Sequence, residues 1–256
     1  MPLYCDSITD RIEISNNANW GNGQKYSQLI WFYCNDLSNT QSLASYQWDG
    51  ADRYRIQIAP ATDKIGVYHY IAGDDVTAES SASSLTINKW TCVCVTTDGS
   101  LTSGAIKIYI GTLGGNLGAD DATEGDTLAA GASYTMGNSF WLCNNDNSDA
   151  DYNRCPVAIN ILLNGIILTQ GQFQELMYSP QNCLKYSETV MYHLVGMHGV
   201  SSVVDLSGSG NDGTGTGMIQ YADNVPIKPL FGFDTYPRYT PAAPSGVVLF
   251  RRRRAG

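Results

Sequence analysis

Residues 52–71 read DRYRIQIAPATDKIGVYHYI, and the alternation in this stretch decides the fold class. In its first half Tyr54, Ile56 and Ile58 fall on one side, with Arg53, Arg55 and Gln57 on the other. In its second half Ile65, Val67, His69 and Ile71 oppose Tyr68 and Tyr70. A period of two belongs to extended chain, whose successive side chains point to opposite faces, so both halves are expected as strands with one buried face.

Similar strand signals recur at DRIEIS (10–15), QLIWFYC (28–34), SLASYQW (42–48), WTCVCVT (90–96), AIKIYIG (105–111), SFWLC (139–143), VAINILLN (157–164) and TVMYHLV (189–195). With the opening pair this makes ten strands joined by short polar turns, the pattern of an all-β antiparallel sandwich or jelly roll. One short helix is expected: Thr169 and Gln172 form a capping box, Phe173, Leu176 and Met177 share a face, and Pro180 stops the run. Its expected place is over an edge of the sandwich. DLSGSGNDGTGTG, from Asp205, is rich in turn formers and is expected to hold no regular structure.

Two segments emerge, a β-sandwich over 1–224 and an arm over 225–256. The arm has six bases and one acid, +5, and the other 224 residues have 9 bases and 23 acids, −14. So acidic a body should repel nucleic acid and anionic membrane. No stretch approaches the ~18 apolar residues of a membrane helix, which argues against membrane insertion. MPLYCDSITDR lacks the basic and apolar regions of a conventional export signal, so any export is expected to proceed without one. Seven cysteines, odd in number and without CxxC pairs, are expected as buried, reduced thiols rather than a disulfide framework or a zinc site.

The arm carries five of the nine prolines together with Phe231, Phe233, Tyr236, Tyr239 and Phe250, and ends in Arg251, Arg252, Arg253 and Arg254. Proline imposes extension, and aromatic rings gain nothing by exposure to water. The arginine run has three readings: a nucleic-acid patch, which the acidic body opposes, a solvated end, and an assembly arm. In the third, the rings dock on a neighbouring subunit and the guanidinium groups pair with carboxylates. The assembly arm is the expectation adopted.

The order DRIEIS, LIWFYC, KWTCVCVTTDGS, GAIKIYIGTLGG resembles the LamG-like jelly roll of the concanavalin A-like lectin/glucanase superfamily. CPVAINILLNGIILTQGQFQEL is similar to the strand, turn and short helix that follow in that family. HLVGMHGVSSVVDLSGSGNDGTGTG resembles its "D-x-S-G-N-G-N-x-G-T" segment, here near the C-terminus, and ADNVPIKPLFG resembles the continuation found in members often encoded by tailed phages. The resemblance spans about residues 4–234. It implies a virion protein without enzymatic activity, a capsid decoration or tail-associated subunit whose partners are its own copies, other virion proteins and cell-surface glycans. The alternative is a secreted or surface lectin, and a glycoside hydrolase comes third. Gly111 stands where the family usually has Asp.

Glycoside hydrolysis requires two carboxylates roughly 5–9.5 Å apart. The chain has five glutamates (Glu13, Glu79, Glu124, Glu175, Glu188), and only Glu124 has an aspartate two residues on, Asp126. No GxSxG or HExxH pattern occurs, and His69, among aliphatic neighbours on its strand face, is expected as a hydrogen-bonded core histidine. Calcium is the one cofactor the spacing suggests: Asp149, Asp151 and Asn153 follow the i, i+2, i+4 order of a calcium loop. Against it, Arg154 replaces the loop glycine and Asn160 the closing glutamate, so a solvated turn is the alternative. For glycan binding, Tyr68 and Tyr70 on the polar-facing side of their strand beside Gly66 offer an aromatic platform, unless that face packs against the second sheet.

Overall fold

The computed structural model describes residues 2–5, 7, 9–15, 22–47, 53–59, 62–71, 74–125, 134–135, 139–144 and 154–221. Two antiparallel sheets dominate. The nine-stranded sheet runs in the order β11 (Thr123–Glu124), β8 (Asp74–Glu79), β7 (Lys64–Ile71), β6 (Arg53–Ala59), β5 (Gln41–Gln47), β13 (Phe140–Leu142), β2 (Arg11–Ile14), β17 (Gly213–Thr216), β16 (Ser202–Val203). The seven-stranded sheet runs β10 (Ile106–Thr112), β9 (Lys89–Asp98), β4 (Lys25–Cys34), β14 (Val157–Asn164), β1 (Leu3–Tyr4), β18 (Ile219–Gln220), and β15 (Thr189–Leu194) also pairs with β14. A two-residue ladder joins β3 (Asn22–Gly23) to β12 (Tyr134–Thr135). All ten expected strands are present, and the fold is an antiparallel β-sandwich consistent with a jelly roll.

The inward faces meet in one core. Ile12, Ile14, Tyr54, Ile56, Ile58, Ile65 and Val67 of the larger sheet pack on Tyr26, Ile30, Phe32, Val93, Val95 and Ile108 of the smaller. The alternation of residues 52–71 is satisfied as read, with Tyr54, Ile56, Ile58, Ile65, Val67 and His69 inward. His69 is buried, its ring nitrogens 3.2 Å from Tyr26 Oη and 3.4 Å from Tyr46 Oη, which makes it the hydrogen-bonded core histidine expected. Burial lowers its pKa to about 3 and keeps it neutral.

In β4, β9 and β14 alternation is lost, because both faces of the seven-stranded sheet are covered. On its outer side lies a second core of Leu29, Trp31, Cys92, Cys94, Tyr109, Ile159 and Ile161. Over it sits α1 (Gln170–Tyr178), capped by Thr169 and Gln172 as the sequence predicts. Phe173, Leu176 and Met177 face the sheet, and Trp31 Nε1–H donates to Met177 O at 3.1 Å. The helix therefore covers a face, not an edge. It also accounts for Gly111: a Cβ there would lie 2.7 Å from Met177 Sδ and 3.2 Å from Leu117 Cδ1.

The glycine-rich segment from Asp205 is not without regular structure. Residues 213–216 form β17 and pair with β2, Gly213 opposite Ile14 and Gly215 opposite Ile12. The glycines allow close approach: a Cβ at Gly213 would lie 2.8 Å from Ile12 Cγ2, and one at Gly215 would collide with Val200 O. Asp205 anchors the loop before it. Its carboxylate accepts hydrogen bonds from the backbone N–H groups of Tyr192 (3.0 Å), Ser207 (2.9 Å) and Asn211 (3.0 Å) and from Ser207 Oγ (2.8 Å). Burial works to raise its pKa, but these four donors outweigh it and hold the carboxyl below its ordinary value.

Candidate functional site

Residues directly opposite in antiparallel strands share a face, so the register lays out the outer surface of the nine-stranded sheet. One row across it reads Thr214, Glu13, Trp141, Ser45, Arg55, Tyr68, Thr77, from β17 to β8. The adjacent row reads Ser42, Gln57, Gly66, Glu79, Thr123. Tyr68 thus points away from the second sheet, the inward side of β7 being held by Ile65, Val67 and His69.

Two aromatic–cation pairs stand on this face, each with its ring in the first row. The Arg55 guanidinium lies 5.5 Å from the centroid of the Tyr68 ring, and that of Arg11 lies 5.1 Å from the Trp141 ring. Arg11 is oriented by Glu13 (Nε to Oε2, 3.2 Å), which also accepts from Ser139 Oγ at 2.9 Å. Trp141 and Tyr68 are three strands apart, so at about 4.8 Å per strand the row between them spans about 14 Å, the length of a short oligosaccharide. The ring of Tyr68 crosses Gly66, where a Cβ would meet Tyr68 Cε2 at 2.9 Å. Beside it a shallow groove of about 300 Å³ is lined by Lys64, Tyr68, Thr77, Glu79 and Ser81, among others, with Lys64 Nζ 2.9 Å from Glu79 Oε2.

Among the described residues, three buried polar atoms on this face have no hydrogen-bond partner: Trp141 Nε1, Ser42 Oγ and Gln57 Oε1. Ser42 and Gln57 are register partners, 0% and 5% exposed. Unpaired buried polar groups cost about 1–3 kcal/mol each, so natural chains retain them where something else supplies the bond.

Glu79 and Glu124 both border the groove, and both carboxylates are engaged: Glu79 by Lys64, and Glu124, opposite Ala78 in the ladder, by Gly104 N–H and Ile106 N–H, which its two oxygens accept at 2.7 Å. Glu79 points outward, opposite Thr123. Glu13 is five strands from Glu79, about 24 Å at ordinary spacing, far beyond hydrolytic reach. Glu175 pairs with Lys185 beside α1, and Glu188 accepts from Ser187. His193 is engaged in the interior, its Nε2–H donating to Asn211 O at 2.8 Å.

Of the residues singled out in the sequence, Tyr68 is in the outer row. The backbone of Tyr70 stands in β7 opposite Arg53 and Asp75, and its side chain lies outside the described residues. So do Asp126, the calcium candidates Asp149, Asp151 and Asn153, and the docking candidates Phe231, Phe233, Tyr236, Tyr239, Phe250 and Arg251 to Arg254. Among the described residues no group of three His, Cys, Asp or Glu side chains is placed to hold a metal, and no helix is long and apolar enough to cross a membrane. Sequence reading missed Trp141. The signal was there: in SFWLC, Phe140 and Leu142 are inward, which puts Trp141 on the polar side.

Comparison with known proteins places this geometry in context. The sequence matches no curated protein. In structure it is similar to a putative carbohydrate binding protein from Bacteroides ovatus, with TM-score 0.59 and 14% identity over 89% of this chain and 62% of that one. It is also similar to the heptameric SAP-like pentraxin of Limulus polyphemus, with TM-score 0.49 and 8% identity over 68% of this chain and 81% of that one. A third likeness is to the full-length tailspike protein 2 of an Escherichia coli O157:H7 bacteriophage, with TM-score 0.49 and 9% identity over 76% of this chain and 30% of that one. At these identities the likeness is one of fold. The Laminin_G_3 family, described as concanavalin A-like lectin/glucanases superfamily, matches residues 6–151, more than half of the chain. The chain belongs to the concanavalin A-like lectin/glucanase superfamily.

Proposed function

We propose that this protein is a non-catalytic carbohydrate-binding sandwich that receives an oligosaccharide on the outer face of its nine-stranded sheet. The observation that carries the reading is the coincidence, on one face, of two aromatic–cation pairs and a groove lined by polar side chains. A sugar suits this face, since its C–H faces stack on Tyr68 and Trp141 while its hydroxyls pair with the polar groups lining the groove, Lys64, Thr77 and Glu79. The engagement of Glu79 by Lys64 and of Glu124 by two backbone donors favours binding over hydrolysis, and the Bacteroides ovatus protein of similar fold is itself described as a putative carbohydrate binding protein.

A glycan array followed by titration of the best hit tests this. Tyr68→Ala and Trp141→Ala are each expected to weaken binding at least tenfold, about 1.4 kcal/mol, at unchanged fold. Undiminished binding by both variants, or release of reducing sugar, overturns the reading. A parallel titration in EDTA tests for metal dependence, and its loss in Asp149→Ala and Asp151→Ala would assign that dependence to Asp149, Asp151 and Asn153.

The body is displayed, in this proposal, on a virion, as a capsid decoration or tail-associated subunit anchored by residues 225–256. Its support is the charge division, +5 on that segment against −14 on the rest, which favours docking on an acidic copy of the same chain or another virion protein. Deleting residues 235–256 is expected to leave a folded body that no longer enters particles; normal incorporation defeats the assignment.

A further inference from the structure

All seven cysteines are buried, and two of them, Cys34 and Cys155, lie where the end of one strand meets the approach to its neighbour. Cys34 is the last residue of β4, and Cys155 lies two residues before β14. Phe32 is opposite Val157, and the ladder continues outward, because Tyr33 N–H donates to Pro156 O at 2.8 Å. That bond sets 33 opposite 156, so Cys34 and Cys155 are the next residues to face each other. Facing residues of antiparallel chains have Cα atoms about 4.5–5.5 Å apart, within the range a disulfide spans. Both side chains belong to the core between the sheets, and the Cys155 thiol donates to Asp36 O at 3.5 Å, two residues beyond Cys34.

The surroundings brace this pair. Gln41 Oε1 accepts from the backbone N–H of Arg154 (2.9 Å) and of Cys155 (3.2 Å), while Gln41 Nε2 donates to Asp36 O at 2.5 Å. One side chain therefore ties the stretch after Cys34 to the stretch before β14. Cys92 and Cys94 make the contrast: their sulfurs are 3.8 Å apart, but they are two residues apart on one extended strand, with Cα atoms about 6.7 Å apart at the far limit for a disulfide. Cys5 is instead engaged with Asp10 O (2.9 Å) and Cys143 O (3.1 Å).

We propose that Cys34 and Cys155 form an intrachain disulfide by exchange with a low-molecular-weight disulfide such as oxidised glutathione. The pair sits at the end of its ladder, where strand ends open most readily. Cys155 is the attacking thiol. Burial raises its pKa, but the neighbouring Cys34 thiol works against that and the net direction is down; Cys34 is pushed up, first by Cys155 and then by burial. The Cys155 thiolate attacks one glutathione sulfur, forming a mixed disulfide and expelling a glutathione thiolate. Cys34 gives its proton to that thiolate and attacks Cys155 Sγ, expelling the second glutathione. Two protein thiols are oxidised and one glutathione disulfide is reduced to two thiols.

The test uses the full chain, incubated in native buffer with oxidised glutathione, then denatured and alkylated. The expected product has lost two hydrogen atoms, carries five alkylated cysteines of the seven, and yields one cross-linked peptide joining Cys34 to Cys155. Closing a loop of roughly 120 residues should raise Tm by about 5–10 °C, reversed by dithiothreitol. In Cys34→Ser, Cys155 should instead accumulate as a single glutathione adduct. Seven alkylated cysteines in the wild-type chain, or a cross-link between any other pair, overturns the proposal whether or not the variant folds. Because the pair lies apart from the outer-face rows, failure here leaves the glycan reading standing, and failure of glycan binding leaves this one.

Discussion

Replacing Asp205 by alanine removes the acceptor for three backbone donors and one hydroxyl. Tyr192 and Asn211 are buried, so their N–H groups would be left unpaired at about 1–3 kcal/mol each, whereas half-buried Ser207 can turn to water at little cost. The expected loss is therefore about 3–5 kcal/mol, a large part of the roughly 5–15 kcal/mol that holds a domain of this kind together. Asp205→Asn keeps one acceptor oxygen and should lose about half as much. Urea unfolding followed by the fluorescence of Trp31, fully buried, reads this as a lower midpoint at unchanged slope. If Asp205→Ala unfolds within about 0.5 kcal/mol of the parent, the carboxylate is not the anchor of the DLSGSGND segment, and the account given for β17 fails with it.

Acidification is a second test. His69 titrates at about 3 in the folded state against 6.5 when unfolded, and His193 is lowered too, chiefly by burial, so the unfolded chain binds more protons below pH 6.5. Stability from these groups is complete above pH 6.5 and should fall by about 1.4 kcal/mol per pH unit per histidine as pH drops towards the folded values. Asp205, its pKa depressed, adds a contribution present above the unfolded carboxylate pKa and lost as pH falls through the folded one. Urea midpoints at pH 7.5, 6 and 5 that do not decline would refute the neutral, buried state of both rings. Gly111→Asp, which restores the residue common in the family, should destabilise by about 3 kcal/mol or more in thermal melts, because the carboxylate would enter the contact between Met177 and Leu117. An unchanged melt would mean that α1 is not seated as described.

Alternation made the nine-stranded sheet legible from residues alone, since one face meets the core and the other does not; every second side chain of DRYRIQIA and KIGVYHYI had to be apolar. The helix was readable for an equally local reason, its capping box and stop signal lying within a dozen residues. What covers the seven-stranded sheet was not. QLIWFYC is buried on both faces only because α1, more than 130 residues away, lies across it, and no local pattern names that partner. Reading GTGTG as turn alone failed similarly, because its glycines answer to Ile12 and Val200 on distant segments. The candidate site divides in the same way. Tyr68 could be seen on its own strand, but the row joining it to Arg55, Ser45 and Trp141, and the opposition of Cys34 to Cys155, depend on register between strands remote in sequence. The chain's own periodicity determines which side of a strand a residue takes; only the pairing of strands in the folded sheets decides which residues become its neighbours there.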